Sequence, residues 1–473
     1  MPTTKHPSQS PPVNTDERTP HVMIVGAGLA GLLLGILLDR ASIPYQIYER
    51  SKTIRPLGAV MCLSPNIMPV FEQLGLFEGL VNISLPSRQF NIMTGRLETL
   101  GSFQSDNAQQ EAIGYDSYVF ARPQLYELLL SKIPPGNIHF GKKVLSLEQN
   151  HNGVMIRCND GTTYHGDILV GADGTYSGVR QGLYKSLQNS GRLPESDVQE
   201  MNKGFVCMVG TTDSLDPAEY PGVDKDESQA YQIVGEGIPY CWSSISVPGN
   251  KICWNAIMQL ANVKQAEDYM FRNSEWGPDS NEEMIHEVKD FPIPGGHTLG
   301  DLINATPKET VSRVFLEDKL FETWHHGRTA LIGDAAHKLL PSSGQGAVTA
   351  LQDAVILANC LYDLKSTSHE DIGAALQDYQ DQRYSHVKEQ YEGSRMNAKI
   401  IYGQTLLERL TRHVVFNYLP RSVYMKNVTR DAAYRPQATF LPLTPKKGSC
   451  FVLPQKPSKR YQAEQEMTGA SLV

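Results

Sequence analysis

The feature that most constrains this chain is an uncharged run of 17 residues, Val22–Leu38, with the sequence VMIVGAGLAGLLLGILL. The run follows a tail that contains Lys5 and Arg18, so it has features of a signal peptide or a short membrane span. Asp39 and Arg40 end it at once, and no small-residue cleavage site stands out. Its four glycines are explained by a buried strand that turns sharply into a helix. We therefore predict a strand, a glycine turn and a helix.

The glycines follow the pattern Gly26-x-Gly28-x-x-Gly31. In this pattern Gly26 permits a tight turn, Gly28 lets a pyrophosphate approach a helix N-terminus, and Gly31 lets helix and strand pack closely. Glu49 lies 21 residues beyond Gly28, at the end of a second predicted strand. There its carboxylate can accept hydrogen bonds from a ribose hydroxyl. The spacing predicts a dinucleotide site but does not distinguish FAD from NAD.

The composition is that of an ordinary globular protein, with 473 residues, 40% of them hydrophobic and 20% charged. The formal net charge is −8, which argues against nucleic-acid binding because that function usually needs a basic face. Seven cysteines are scattered along the chain without a Cys-x-x-Cys pair. We therefore expect reduced thiols in a cytoplasmic protein, with no disulfide framework and no metal site.

A second motif runs from Gly171 through Asp173 and Gly174 to Arg180. It follows a short apolar segment over 168–170 that we predict to be a buried strand. An Asp-Gly turn before a helix capped by Ser177 explains these residues. The full ten-residue pattern from Gly171 to Arg180 occurs in far fewer sequences than such a turn does.

A third motif begins with Gly333-Asp334-Ala335-Ala336-His337 and continues to Gly344-Gln345-Gly346. The last glycine opens a helix predicted over 346–363. A carboxylate at a strand end can bind a hydroxylated chain such as ribityl, and a helix N-terminus attracts an anionic group. We interpret His337 as a structural histidine in preference to a proton carrier.

In this order, the three motifs resemble those of the class A flavin monooxygenases, the para-hydroxybenzoate-hydroxylase-like family, over residues 21–365. The resemblance implies FAD as cofactor, NADPH or NADH as co-substrate, and O₂ as oxidant. It implies that a flavin C4a-hydroperoxide transfers oxygen to a small apolar organic substrate. Carried over residue by residue, it assigns FAD binding to Gly26, Gly28, Gly31, Glu49, Ala59, Arg122, Asp173, Asp334, Gly346 and Ala347.

The segment AYRPQATFLP, residues 433–442, resembles fungal members of this family that act in meroterpenoid and polyketide biosynthesis. The resemblance implies epoxidation of an olefin in a terpenoid or polyketide. Aromatic ring hydroxylation is the alternative, and a flavin-binding protein without turnover is a third possibility. By region alone, Tyr231 and Tyr240 are candidate catalytic residues. We interpret each aromatic side chain as part of the core in preference to a catalytic group.

The fold class we predict is α/β. A Rossmann-like FAD-binding domain carries an inserted antiparallel sheet for substrate, and a C-terminal helical region follows. The strand segments within 21–50, 168–170 and 329–333 should share one sheet. The predicted divisions are a disordered tail over 1–20, the FAD-binding domain over 21–199 and 306–365, the substrate sheet over 200–305, and the helical region and tail over 366–473.

The helical region carries an apolar stripe beside three cations. Such a stripe can rest on a membrane surface and give a membrane-associated protein. We favour the alternative, in which it covers the flavin domain. The stripe consists of Ile400, Ile401, Leu406, Leu407, Leu410, Val414 and Val415, and the cations are Lys399, Arg409 and Arg412.

Overall fold

The computed structural model describes residues 19–53, 60–105, 107–260, 281–403, 405–418 and 420–468. The expected disordered tail lies outside the described residues as far as residue 18. The strands are β1 (Val22–Val25), β2 (Tyr45–Glu49), β3 (Val60–Leu63), β4 (Leu85–Pro86), β5 (Gln89–Thr94), β6 (Thr99–Gln104), β7 (Tyr118–Ala121), β8 (Ile138–Phe140), β9 (Val144–Asn150), β10 (Gly153–Cys158), β11 (Thr163–Gly166), β12 (Ile168–Gly171), β13 (Asn202–Thr211), β14 (Gln229–Val234), β15 (Tyr240–Val247), β16 (Lys251–Gln259), β17 (Pro292–Ile293), β18 (His297–Thr298), β19 (Ser312–Leu320), β20 (His325–His326), β21 (Thr329–Leu331) and β22 (His337–Lys338).

The helices of the described residues complete the element order. They are α1 (Leu29–Arg40), α2 (Met68–Gln73), α3 (Phe77–Asn82), α4 (Asn107–Ile113), α5 (Arg122–Leu130), α6 (Gly178–Asn189), α7 (Glu195–Val198), α8 (Glu282–Val288), α9 (Leu299–Asn304), α10 (Gly346–Tyr362), α11 (His369–Tyr402), α12 (Leu406–Tyr418), α13 (Arg421–Asp431) and α14 (Lys459–Thr468).

One layer is a six-stranded sheet in the order β20-β21-β12-β1-β2-β8. All its strands are parallel except β20, which pairs with β21 in the antiparallel sense. Parallel strands need crossover connections, so distant segments of the chain can lie side by side. The expectation that the segments at 21–50, 168–170 and 329–333 share one sheet is confirmed.

The 17-residue uncharged run forms β1 and α1 in the middle of this layer. All four residues of β1 are buried, and so is every residue of α1 from Leu29 to Leu38. A helix that is apolar all round must be covered on all sides, and α1 packs against α5, α10 and the sheet. Its lack of charge therefore follows from burial inside the domain. Over the described part of the chain, no helix combines the length and hydropathy that crossing a membrane requires.

A second layer is an eight-stranded sheet in the order β22-β19-β13-β16-β15-β14-β5-β6. Its neighbours pair in the antiparallel sense, except for the parallel pair of β14 and β5. The expected antiparallel pairing within 200–305 is present, since β13, β15 and β16 pair with their neighbours in that sense. Strands β13–β16 lie within 200–305, whereas β5, β6, β19 and β22 join the same sheet from outside that range. The domain division proposed above remains a proposal.

The two faces of this sheet carry different side chains because residues alternate along each strand. One face holds Tyr240, Trp242 and Trp254 and packs against α8 and α9. The other face holds Cys207, Cys241 and Ile257 and packs against Leu340 and Tyr402. We call this second face the inner face, because Leu340 lies in the loop that leads to Gly344-Gln345-Gly346.

A two-residue turn joins β9 and β10. Gly153 pairs with Asn150 in the ladder, and His151-Asn152 form the turn. The side chain of Asn150 stabilises this turn, since its Oδ1 accepts hydrogen bonds from the backbone N–H of Asn152 (2.8 Å) and Gly153 (3.2 Å).

The C-terminal region, which continues through α13 and α14, corrects one expectation. The apolar stripe does not cover the flavin domain. Phe416 packs on Phe103 of β6, with ring centroids 5.7 Å apart, so α12 lies over the edge of the eight-stranded sheet. Phe416 and Arg412 occupy its inward side, which leaves most of the stripe exposed.

Candidate active site

The glycine turn after β1 has little room for side chains. Gly26 has φ +105°, and a Cβ there would lie 2.4 Å from the carbonyl oxygen of Ala172. A Cβ on Gly31 would lie 2.1 Å from the carbonyl oxygen of Gly26. Gly28 differs, because the nearest atom to its Cβ position is 3.9 Å away. The turn is therefore tight on the protein side and open where a phosphate would approach.

Glu49 fixes this turn to the end of β2. Its Oε2 accepts a hydrogen bond from the Ala27 N–H (2.9 Å), and its Oε1 accepts one from the Ser51 N–H (2.8 Å). A carboxylate offers about four acceptor positions. Glu49 therefore retains acceptor capacity for ribose hydroxyl groups.

The second motif builds a capped helix terminus, as the Asp-Gly explanation indicated. Ser177 is the N-cap of α6 and accepts a hydrogen bond from the Arg180 N–H (2.9 Å). Asp173 accepts hydrogen bonds from Ser177 Oγ (2.5 Å) and from the Gly178 N–H (2.7 Å). Burial raises the pKa of the Asp173 carboxyl, and the hydrogen bond from Ser177 opposes that shift.

Arg180 and Thr175 connect this motif to the third one. Arg180 NH1 donates to the carbonyl oxygen of Ala335 (2.9 Å), and Thr175 Oγ1 donates to Asp334 (3.2 Å). Asp334 also accepts a hydrogen bond from Lys338 Nζ (2.5 Å). The two motifs thus meet although about 160 residues separate them.

Asp334 keeps its charge in this setting. Burial opposes its ionisation, but the positive charge of Lys338 holds the pKa of the carboxyl below its ordinary value, and Arg122 acts in the same direction. An ionised carboxylate is a strong acceptor for hydroxyl donors.

The loop before α10 is open at its glycines. Gly344 has φ +65°. Apart from the adjacent residues and the backbone of α10 itself, no atom of the described part of the chain lies within 4 Å of a Cβ built on Gly344 or Gly346. The first N–H groups of a helix have no partner within the helix. Gly346 and Ala347 are the first two residues of α10, so their N–H groups can bind an electron-rich ring edge.

A buried ionic network holds the third motif in place. Asp353 of α10 accepts hydrogen bonds from His337 Nε2 (2.6 Å), Arg383 Nε (2.8 Å) and the Gly333 N–H (2.8 Å). The three side chains of this network are at most 1% exposed. His337 is thus placed as expected of a structural histidine. Asp353 was missed in the sequence, although it is the lone carboxylate of a largely apolar helix, which is a usable signal.

A cleft of about 850 Å³ brings the first two motifs together. Its walls include Gly26, Gly28, Glu49, Arg122 and Asp173, half of the residues assigned to FAD by the resemblance. Gly31 lies beneath the glycine turn that follows β1. Asp334 is linked to the second motif by its hydrogen bond from Thr175. Ala59 lies outside the described residues. The cleft is also lined by four further basic side chains, Arg50, Lys142, Lys143 and Lys185.

These residues fit an FAD molecule. The open turn at Gly28 and the basic lining suit a pyrophosphate, Glu49 suits a ribose, and Asp334 suits a ribityl chain. The open N-terminus of α10 suits the electron-rich edge of a reduced flavin.

The structure gives both candidate tyrosines a packing role. The Tyr240 hydroxyl donates to Glu287 of α8, and the ring packs edge-on against Phe291. Tyr231 packs in the same cluster. Both therefore lie on the side of the sheet away from the inner face, and we do not carry them forward as catalytic residues. The alternation of side chains along a strand already allowed this assignment from the sequence, since it places Tyr240 and Trp242 on the same face of β15.

The inner face also carries a polar row that was not identified from the sequence. Ladder pairing places Asn255 directly opposite Ser243, and Ser243 directly opposite Gln232. Asn255 Nδ2 donates to Ser243 Oγ (2.5 Å), while the buried Asn255 Oδ1 accepts no hydrogen bond from the residues that the structure describes. This row places polar atoms within a face that is otherwise largely apolar.

Comparison with known proteins agrees with this geometry. The FAD binding domain family matches residues 19–213 and 245–394. FAD-dependent monooxygenase penE of Penicillium thymicola is 29% identical over 461 residues, covering 95% of this chain and 93% of that protein. FAD-dependent monooxygenase paxM of Penicillium paxilli is 30% identical over 393 residues, covering 79% and 77%.

The fold is also shared with solved structures. Klebsiella pneumoniae HpxO complexed with FAD and uric acid has a TM-score of 0.70 at 23% identity, covering 88% of this chain and 97% of that one. CtdE in complex with FAD and a substrate has a TM-score of 0.68 at 17% identity, covering 95% and 98%. The family match, the relatives and the joined motifs lead to one conclusion: this chain belongs to the class A FAD-dependent monooxygenases.

Proposed function

We propose that this monooxygenase epoxidises an olefin of a terpenoid or polyketide secondary metabolite. NADPH or NADH supplies two electrons, and O₂ supplies the oxygen atom. The balanced reaction converts the olefin, O₂, NAD(P)H and one proton into the epoxide, water and NAD(P)⁺. Bound FAD supplies the chemistry with O₂. The protein binds and orients the cofactor and the substrate, and it excludes water from the site.

One observation favours an olefin over a phenol as the reacting group. Across the central rows of β13–β16, the inner face presents thiols, hydroxyls, amides and aliphatic groups. Its positions there are Cys207, Val209, Thr211, Ala230, Gln232, Val234, Cys241, Ser243, Ile245, Cys253, Asn255 and Ile257.

None of these twelve positions holds a carboxylate, a histidine or an amine. Burial raises the pKa of the Cys207 thiol and of the Cys253 thiol to about 12. Hydroxylation of a phenol benefits from a base that removes the phenolic proton, whereas epoxidation of an olefin needs no such base. The described face therefore suits an electron-rich, apolar double bond.

The AYRPQATFLP segment supports the proposal only through its resemblance to the fungal family members. Its contacts are structural and hold helices together. Asn359 of α10 donates to the Gln437 carbonyl (2.9 Å) and accepts from the Thr439 N–H (2.9 Å). His386 of α11 stacks on Tyr434, with ring centroids 4.0 Å apart. The segment thus fastens α10 and α11, and it lies against the cofactor domain.

Product analysis tests the proposal. The FAD-loaded protein is incubated with NADPH and air, together with prenylated aromatics and linear polyenes as probes. We expect a product that has gained one oxygen atom at a double bond, with the aromatic ring intact. A product oxidised on the ring would favour the alternative, aromatic hydroxylation.

The third possibility, flavin binding without turnover, has its own readout. If FAD binds but NADPH does not bleach its visible absorbance, the protein is not acting as a monooxygenase under those conditions. Bleaching by NADPH and recovery in air would exclude that possibility.

A further inference from the structure

An apolar row is exposed along α12. Its side chains are Leu406 (81% exposed), Leu407 (74%), Leu410 (61%), Val414 (52%) and Tyr418 (70%). Residues four apart lie on one side of a helix, so Leu406, Leu410, Val414 and Tyr418 form a continuous line with Leu407 beside it. A contiguous exposed apolar patch commonly marks an interaction site. We call these five residues the α12 row.

The orientation of α12 is fixed from its other side. Arg412 is buried and donates hydrogen bonds to the carbonyl oxygens of Ile401 (3.0 Å) and Gly403 (2.9 Å), at the end of α11. Phe416 lies against Gly101 and Phe103 of β6. Because these contacts hold the inward side, the α12 row faces away from the protein.

The charge around the row is unlike that of the whole chain. Residues 395–430 contain seven lysines and arginines and one glutamate, a net charge of +6, whereas the chain as a whole carries −8. The glutamate is Glu408, which accepts hydrogen bonds from Thr405 at the start of the helix (2.8 and 3.0 Å).

The cations near the row are available to a ligand. Lys399, Arg409 and Lys426 are exposed, and none has a carboxylate within ion-pair distance among the described residues. Arg409 and His413 are four apart and form the line next to the α12 row. A helix with an apolar side bordered by cations is the pattern of helices that lie in a lipid interface.

We propose that the α12 row docks on an anionic lipid surface. The five side chains enter the boundary between headgroups and acyl chains, and Lys399 and Arg409 contact the anionic headgroups. Charge favours this partner over a second copy of the chain, because self-association along the row would bring the exposed cations Lys399 and Arg409 of two copies together. The proposal is independent of the flavin chemistry. It reverses the preference drawn from the sequence, because the stripe is exposed.

Vesicle flotation of the full-length FAD-loaded protein tests the proposal. Two vesicle preparations are compared, phosphatidylcholine alone and equal parts phosphatidylcholine and phosphatidylserine. We expect the protein to float with the second, and less of it as salt is raised. Leu406→Gln/Leu410→Gln should lower the vesicle partition coefficient about tenfold or more. Lys399→Gln/Arg409→Gln should lower it and weaken its salt dependence.

A matched control uses Leu443→Gln/Leu453→Gln, which changes two leucines that are 58% and 47% exposed outside the row. It should float like the wild type, and all variants should retain FAD. The proposal is overturned if the wild type does not float with either vesicle, or if Leu406→Gln/Leu410→Gln floats like the wild type. It is also overturned if the wild type is a dimer that this double variant dissociates and no vesicle binding occurs.

Discussion

Replacing Asp353 with Asn should destabilise the protein severely, although the side chain keeps its shape. Asp353 is fully buried and serves three donors, His337, Arg383 and the Gly333 N–H, at 2.6–2.8 Å. The amide offers one oxygen in place of two, so at least one donor faces an NH₂ group. Arg383 would also keep a buried charge without a counter-charge.

The magnitude follows from these two losses. Breaking a buried ion pair costs about 3–5 kcal/mol, and an unsatisfied buried donor adds about 1–3 kcal/mol. A free-energy loss of about 4 kcal/mol or more is large against a typical total of about 5–15 kcal/mol. Urea unfolding followed by tryptophan fluorescence measures it. The control is Asp381→Asn, since Asp381 is exposed and its change should stay within about 0.5 kcal/mol.

The pH dependence of stability provides a second test of the role of Asp353. Burial opposes the ionisation of Asp353, but the charges of His337 and Arg383 hold the pKa of its carboxyl below the ordinary value. The ionised group therefore contributes stability above the unfolded pKa, about 3.9, and that contribution is lost as pH falls through the folded pKa. Wild type and Asp353→Asn should converge in stability below that range. A difference under about 1 kcal/mol at neutral pH would refute the reasoning.

Two further substitutions probe the cofactor site. Asp334→Ala should weaken FAD retention about tenfold or more, because charge-assisted hydrogen bonds contribute roughly 1.5–3 kcal/mol each; unchanged flavin content after gel filtration would contradict its ribityl role. Gly31→Ala should cost about 1–3 kcal/mol of stability, since its Cβ would meet the Gly26 carbonyl oxygen at 2.1 Å. Gly373→Ala, in open space on α11, is its control and should raise stability by up to about 1 kcal/mol, as urea unfolding would show.

The local parts of the cofactor site could be predicted from the sequence because each depends on short-range chemistry. A glycine turn, a capped helix and an acidic strand end are specified by neighbouring residues, and Gly26, Ser177 and Glu49 all lie as those patterns indicate. The parallel sheet could also be predicted, because its strands are short apolar segments that must be buried.

The missed parts depend on contacts between distant segments. Asp353 acquires its role only when His337 and Arg383 reach it from elsewhere in the chain. Tyr240 was chosen by region, and the face it occupies depends on strand register. The apolar composition of the stripe on α12 led us to expect that it is buried. In the structure Phe416 occupies the inward side of the helix, so the α12 row is exposed.

Isotope labelling tests the central claim most directly. The FAD-loaded protein turns over an olefin probe with NADPH under ¹⁸O₂ in ordinary water, and the product is analysed by mass spectrometry. We predict that one ¹⁸O atom is incorporated at the former double bond of each product molecule. A product whose new oxygen comes from water, or an intact olefin despite NADPH oxidation with every probe, would contradict the account.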